Sequence, residues 1–342
     1  MNDATEGNRD RPFDVVVMGE ILVEVATDAP FGHGVPAQLG ISGDALNVAA
    51  AATAAGARVG LLAVLPDDDL GQAIAARVAG LGISTRLLKF RTGQQGVYLV
   101  HSDPEGQREF SYARSGSVGS TLSADDVDPV VFSTAKAVIA GGIACAVSMT
   151  SRAAVLKAAE LAQRFVFDPN FRPRLTSAED AAAALLQLAP RSYLVTPSFP
   201  GETAALLGCS TPLEATVKLR GLGAANVAVT CGAEGILLEG EGRHSTVESL
   251  WIDSVPAPAV VDQTGAGDAF VGTLTARMVL GDSFATAARY GAAAASLVVG
   301  GKGGTGLVPT FEQTSTHASA HAQAQAQAHS EGTGNGELPS HA

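Results

Sequence analysis

The segment Asp262-Gln-Thr-Gly-Ala-Gly-Asp268 reads as the link between a Val- and Pro-rich strand and a helix-forming run, and its residue types suit phosphate chemistry. The glycines let the backbone turn tightly, which would bring the N–H groups of Gly265, Ala266 and Gly267 together at a helix N-terminus, where the dipole favours an anion. Asp268 falls in the first turn beside that anion hole. A carboxylate there can accept a hydroxyl proton while the donors neutralise charge on a migrating phosphoryl group. Taken alone, the same residues would also serve as a glycine-rich turn capped by an aspartate. Neither GxxxxGK followed by Ser or Thr nor a GxGxxG after the first strand occurs, which excludes a P-loop and a dinucleotide fingerprint.

Positioning such a site needs strands and helices in alternation, and the chain reads that way. Apolar runs at Asp14 to Met18 and Val59 to Val64 read as buried strands, as do Ala137 to Ala140, Phe165 to Asp168, Tyr193 to Thr196 and Val227 to Thr230, the last four each followed by a helical stretch. Ala45 to Gly56 reads as an Ala-rich helix, and Asp67 to Asp69 offer a cap for a helix that Gly82 ends. Two long helices start near Gly265 and Asp282. This is the pattern of an α/β fold, a doubly wound, mostly parallel sheet with helices on both faces. Gly96 to His101 and Arg108 to Arg114 break the rhythm as a β hairpin around the turn sequence Asp103-Pro-Glu-Gly106, and such an insertion projects as a flap.

Composition bounds the function. A chain of 342 residues that is 46% hydrophobic with 39 glycines is too apolar to be a disordered polymer. The formal net charge of −12 disfavours nucleic acid or an anionic membrane as a partner. The apolar run from Ala137 to Ser151 is too short to span a bilayer, and residues 1 to 12 lack a secretory apolar stretch. Cys145, Cys209 and Cys231 are widely separated and make no CxxC pair, so a reducing, cytoplasmic home is expected. From Gln313 onward the sequence turns to His, Ala, Gln, Ser and Gly, and residues 311 to 342 are read as a disordered tail. His317, His321, His329 and His341 lie there with irregular spacing and no accompanying carboxylate or thiol set for a metal.

The motif around Asp268 resembles the D-x-T-G-A-G-D hallmark of the ribokinase-like (PfkB) family of sugar and nucleoside kinases, matching at Asp262, Thr264, Gly265, Ala266, Gly267 and Asp268. A second hallmark of that family, a Gly-rich segment with an Asn entering a helix, is present as Gly40-Ile-Ser-Gly43-Asp44-Ala-Leu-Asn47. The resemblance spans about residues 13 to 310 and implies a ribokinase-like domain with a small β-sheet lid built from segments near 31–41 and 90–115. It implies ATP-dependent phosphorylation of a hydroxymethyl group, with Asp268 as base and Gly265 to Gly267 as anion hole. It also implies ATP with Mg2+ and leaves K+ open. Thr230, Gly232 and Gly235 match its nucleotide-side T-x-G-x-x-G pattern, although these glycines alone would serve equally as a turn between strands. Thr264 joins them on the nucleotide side, and Gly291 stands where many relatives have an Asn facing adenine. Glu202 resembles the magnesium-linked acid, with Ser198 at altered spacing in place of the usual Asn.

The substrate turns on few residues. Glu24 stands where relatives often have an Asp that accepts sugar hydroxyls, and as a strand-end residue it could equally face solvent. Gly43, Asp44 and Asn47 belong to the sugar side of the second hallmark. Tyr112-Ala-Arg114-Ser-Gly-Ser117 resembles the Y-x-R-x-x-S-A stretch of 2-keto-3-deoxygluconate kinases, with Val118 where those often have Ala. Phe167-Asp168-Pro-Asn170-Phe-Arg172-Pro resembles the FD-x-N-x-RP stretch of the same subgroup. Arg114 on the flap and Arg172 at a strand end could together clamp a carboxylate, as an acid sugar requires. The alternative is that they pair with local acids such as Glu109 or Asp168. Tyr98 and Tyr112 would supply hydroxyls to the substrate or pack on the hairpin face, and the hairpin edge predicts a homo-oligomer through the lid.

Overall fold

Asp14 to Met18 is apolar after its first residue because the strand it forms is covered on both faces. Val16 and Met18 enter one hydrophobic cluster, Val15 and Val17 the other. The computed structural model describes residues 12–102, 108–241 and 247–333. Its elements begin with β1 (Val15–Met18), β2 (Leu22–Thr27), β3 (Gln38–Ser42), α1 (Asp44–Ala54), β4 (Val59–Leu62), β5 (Val64–Pro66) and α2 (Asp69–Gly80). There follow β6 (Lys89–Arg91), β7 (Val97–Ser102), β8 (Arg108–Ala113), α3 (Pro129–Thr134), β9 (Ala137–Gly141), α4 (Gly142–Ala146) and α5 (Met149–Leu161). Next come β10 (Phe165–Asp168), α6 (Ala178–Leu188), β11 (Ser192–Val195), α7 (Gly201–Leu207), α8 (Pro212–Gly221) and β12 (Asn226–Thr230). The chain closes with β13 (Gly235–Glu241), β14 (Val247–Asp253), α9 (Ala266–Leu280), α10 (Phe284–Val298) and α11 (Phe311–Thr333).

The main sheet runs β14-β13-β12-β11-β10-β9-β1-β4, parallel from β12 to β4. Alternation along each strand splits the core: Phe165 and Phe167 face α5 and α6, while Val166 faces the layer of α1, α9 and α10. The chain moves from β1 to β4 on one side and later to β9 on the other, which leaves a crevice at the carboxyl ends of β1 and β9 where ligands bind in such sheets. A second sheet, β3-β2-β7-β8, stands over that crevice as the lid, with Leu22, Tyr98 and Val100 as its own small core. Strand β2 supplies an inner lid strand outside the expected 31–41 and 90–115 segments.

Several expectations need correction. Val227 to Thr230 is followed by the antiparallel pair β13 and β14, because the short apolar run Ile236-Leu-Leu238 suits a strand buried on both faces. The Val- and Pro-rich run before Asp262 forms no strand. The turn at Asp103 to Gly106 lies outside the described residues. Residues 311–333 are the helix α11 rather than a disordered tail. Composition misled there, since Ala and Gln are good helix formers and a capping box starts the helix. In it the Thr310 hydroxyl accepts from the Gln313 N–H at 3.2 Å while the Gln313 side chain accepts from the Thr310 N–H at 2.9 Å. Phe311 then packs edge-on against Tyr290 at 5.1 Å, Thr314 is buried, and His317 and Ser296 lie 3.0 Å apart in a hydrogen bond. Residues 334–342, with His341, lie outside the described residues. Among the described residues no helix is long and apolar enough to cross a membrane.

Small residues let α9 approach its neighbours. A Cβ at Gly272 would lie 2.4 Å from the Val48 carbonyl oxygen of α1. Gly272→Val should therefore lower the unfolding free energy by at least ~1–3 kcal/mol in urea denaturation. Gly80→Ala, where a Cβ meets nothing within 4 Å, should leave it equal or higher.

Candidate active site

Two helix N-termini meet at the crevice. Helix α1 starts after Gly43 and carries Asp44 and Asn47 in its first turns; α9 starts after Gly265 and carries Asp268. Across 221 residues of chain, the Asn47 side-chain amide donates to Asp268 Oδ2 at 2.8 Å. Asn47, expected on the substrate side, thus holds the candidate base first, though it also borders the cleft. The loop opposite is pressed on it, since a Cβ at Gly304 would lie 2.3 Å from the Asn47 amide nitrogen.

Gly265 adopts the left-handed φ of 83° that the turn into α9 demands. The anion hole is narrower than expected, because the Ala266 N–H turns back to the Gln263 carbonyl at 3.3 Å. Gly265 and Gly267 are the hole residues that line the cleft. Asp262 clamps the loop from behind, accepting from Thr264 N–H at 2.8 Å and Gly303 N–H at 2.9 Å.

The cleft has a volume of about 1040 Å³ and runs from the lid residues Tyr112 and Arg114 past Asp44, Asp168 and Asp268 to Thr230 and Thr264. Strand β10 delivers Asp168 at its carboxyl end. Asn170 follows at φ 38°, a left-handed conformation that Asn tolerates better than most residues. Glu202 fixes that loop: one oxygen accepts from Phe171 N–H at 2.5 Å, the other from Ser198 N–H at 2.8 Å. Gly141 and Gly142 keep the floor open, since a Cβ at Gly142 would lie 2.0 Å from the Pro169 carbonyl oxygen.

Carboxylates dominate the electrostatics. Burial raises the Asp268 pKa, opposed by the Asn47 hydrogen bond and by Arg172. Asp44 is pushed up to about 7, by burial first and the Asp268 charge second. Asp168 is raised by burial, then by Glu202 and Asp268, with Arg172 opposing. An acidic cluster beside an anion hole fits a divalent cation that takes most of its ligands from phosphate and water. Among the described residues no three of these side chains close a protein-only metal site.

The arginines part company. Arg114 is paired with Glu20, the Glu109 side chain lying outside the described residues, whereas Arg172 is exposed in the cleft wall and makes no salt bridge among the described residues. Glu20 went unremarked in the sequence, where the only signal is an acid directly after Gly19. Glu24 is buried and accepts the Tyr98 hydroxyl, so neither faces solvent, and of the two Tyr98 borders the cleft. Tyr112 is half exposed and stacks on Phe110. Arg174 ties the β10 loop to the lid through a 2.5 Å hydrogen bond to the Phe110 carbonyl. Of the residues expected on the nucleotide side, Thr230 and Thr264 line the cleft, while Gly232 and Gly235, the latter opening β13, take positive φ. Gly291 does not face the cleft: it is buried in α10, where a Cβ would lie 2.7 Å from the Phe270 ring. It serves the contact between α9 and α10.

The sequence model described as pfkB family carbohydrate kinase matches residues 13–310. The 2-dehydro-3-deoxygluconokinase of Thermoproteus tenax is 34% identical over 302 residues, covering 86% of this chain and 91% of that one. Fructokinase-1 of Zea mays is 30% identical over 278 residues, covering 78% and 83%. An E. coli protein described as a ribokinase II, solved with ATP and Mg2+, superposes with a TM-score of 0.80 at 25% identity, covering 90% of this chain and 99% of that one. The fold is the ribokinase-like one, a mostly parallel sheet between helices.

Because Asn47 lowers an Asp268 pKa that burial raises, Asn47→Ala should push it further up and keep the carboxyl protonated to higher pH. The acid limb of the kcat/KM profile should move to higher pH. Turnover at neutral pH should fall about tenfold or more, since a hydrogen bond to a charged group contributes ~1.5–3 kcal/mol.

Proposed function

Since the chain belongs to the pfkB family of carbohydrate kinases and is an ATP-dependent sugar kinase, we propose that it phosphorylates the terminal 6-hydroxyl of a sugar acid, 2-keto-3-deoxygluconate. The observation that carries the acid is Arg172, a guanidinium in the cleft wall with no salt bridge among the described residues, opposite an Arg114 whose Nε is buried without a hydrogen-bond partner. A carboxylate between them would accept charge-assisted hydrogen bonds from the parts of the two guanidiniums that border the cleft. The likeness to the Thermoproteus enzyme points the same way.

In this reading the acceptor lies between the lid and the core. Asp44 accepts a sugar hydroxyl, and Asn170, held by the Glu202 clamp, borders the same space. Asp268, kept ionised by Asn47, takes the proton of the 6-hydroxyl as that oxygen attacks the terminal phosphorus of ATP. The N–H groups of Gly265 and Gly267 receive the negative charge of the transferring group. ATP lies toward Thr230 and Thr264, which line that end of the cleft. Glu202 and Asp168 would hold Mg2+ through its water shell, and that ion would supply charge neutralisation of the phosphates. The lid closing on the core keeps water from competing with the sugar hydroxyl.

The competing reading is a neutral-sugar kinase, favoured by the same Arg114, because Glu20 already neutralises it. The unpaired lid edges β3 and β8, with Leu39 71% exposed, support association of copies through the lid. The free, buried Cys145, Cys209 and Cys231 suit a reducing cytoplasm.

Purified protein with ATP, Mg2+ and a panel of 2-keto-3-deoxygluconate, fructose, ribose and adenosine should release ADP fastest with the keto-deoxy acid. Faster turnover of fructose would decide for the neutral sugar, and binding without ADP release would mark a silent sensor. Asp268→Ala should cut kcat by about 10²–10⁴-fold. Arg172→Met should raise KM for the acid about tenfold or more.

A further inference from the structure

Glu20 follows Gly19 at the carboxyl end of β1 and is 2% exposed. Its Oε1 accepts from the Ser117 hydroxyl at 2.8 Å, and its Oε2 accepts from the Arg114 guanidinium. The backbone has been cleared around this side chain. A Cβ at Gly96 would lie 2.9 Å from Oε1, and one at Gly119 would lie 2.8 Å from Cγ. Arg114 is itself nearly enclosed, its side chain 11% exposed, with the Tyr112 ring 5.8 Å from the guanidinium. Its Nε is buried and has no hydrogen-bond partner, and the residue borders the cleft.

A guanidinium this deep is costly without an anion and would turn toward water if released. Glu20 removes that option by holding Nη2, and the rest of the guanidinium stays at the border of the cleft. We propose that Glu20 is a positioning residue: it fixes Arg114 so that the part of the guanidinium bordering the cleft is presented to the carboxylate of the acceptor. Recognition of the acid then comes from donor geometry on the Arg114 side and from uncompensated charge on the Arg172 side. This inference rests on the sugar-acid reading above and adds to it the residue that makes Arg114 selective.

The test uses Glu20→Gln, which keeps the shape that Gly96 and Gly119 accommodate, together with Ser117→Ala, Arg114→Met and the Glu20→Gln/Arg114→Met pair. Kinetics with 2-keto-3-deoxygluconate and calorimetric titration with ATP are measured on each full chain. Glu20→Gln should raise KM for the acid tenfold or more while kcat and the Kd for ATP stay within threefold. Ser117→Ala should raise KM by a smaller factor. The double variant should be no worse than Arg114→Met alone, because Glu20 acts through that arginine. A merely structural role would weaken ATP binding in step with KM, and this result overturns the inference, as does an unchanged or lowered KM in Glu20→Gln. If Arg114→Met itself leaves KM unchanged, the arginine clamp of the sugar-acid reading is what fails.

Discussion

The hydrogen bond from Asn47 to Asp268 is the constraint on which the remaining geometry depends. It joins the first turns of two helices whose sequences are far apart, and it works against burial. In a crevice that excludes water, a carboxyl group drifts toward its neutral form, useless as a base. A single amide donor, backed by Arg172, opposes that drift. For the bond to form, α1 and α9 must approach closely, hence the alanines along α1 and the bare Gly272 facing the α1 backbone. The Gly304 loop then leaves Asn47 no room to turn away.

Around this bond the crevice accumulates charge that no stability argument would favour. After burial, the Asp268 charge raises the pKa values of Asp44 and Asp168, and Glu202 and Asp44 add to the effect on Asp168. Such clustering makes sense where phosphate and its cation arrive together and the reaction needs a base, an anion hole and proton acceptors within one small volume. The helix N-termini supply part of the compensation without bringing mobile side chains.

The lid is tied to the core by polar contacts as well as by Val23, Val25, Ile41 and Val97, which pack into the hydrophobic cluster of α1 and α9. Glu20 reaches Arg114 and Ser117, Arg174 reaches the Phe110 carbonyl, and Lys302 meets Asp28 at 2.9 Å, while Tyr98 and Glu24 bond within the lid itself. The small lid core of Leu22, Tyr98 and Val100 gives the sheet its own cohesion, so it can act as one body. Several of these contacts join residues that also border the cleft, which couples acceptor binding to lid position.

The sequence by itself determined the strand and helix alternation, the glycine-rich turn and the presence of Asp268 in a first helical turn, because each depends on local periodicity and backbone freedom. Asp168, Asn170 and Arg172 could be named in advance since they sit together on one short segment. Only the tertiary structure decided that Asn47 serves Asp268, that Glu20 pairs with Arg114, and that Glu24 is occupied by Tyr98. These pairings join residues from 74 to 221 positions apart, where no local signal exists. The same holds for Gly291, whose missing side chain reads alike whether it faces a ligand or a crossing helix. It holds too for α11, whose order comes from packing Phe311 and Thr314 on a surface that exists only once the domain has folded. Periodicity fixes which face of an element is apolar, whereas which polar partner it meets is a property of the assembled layers.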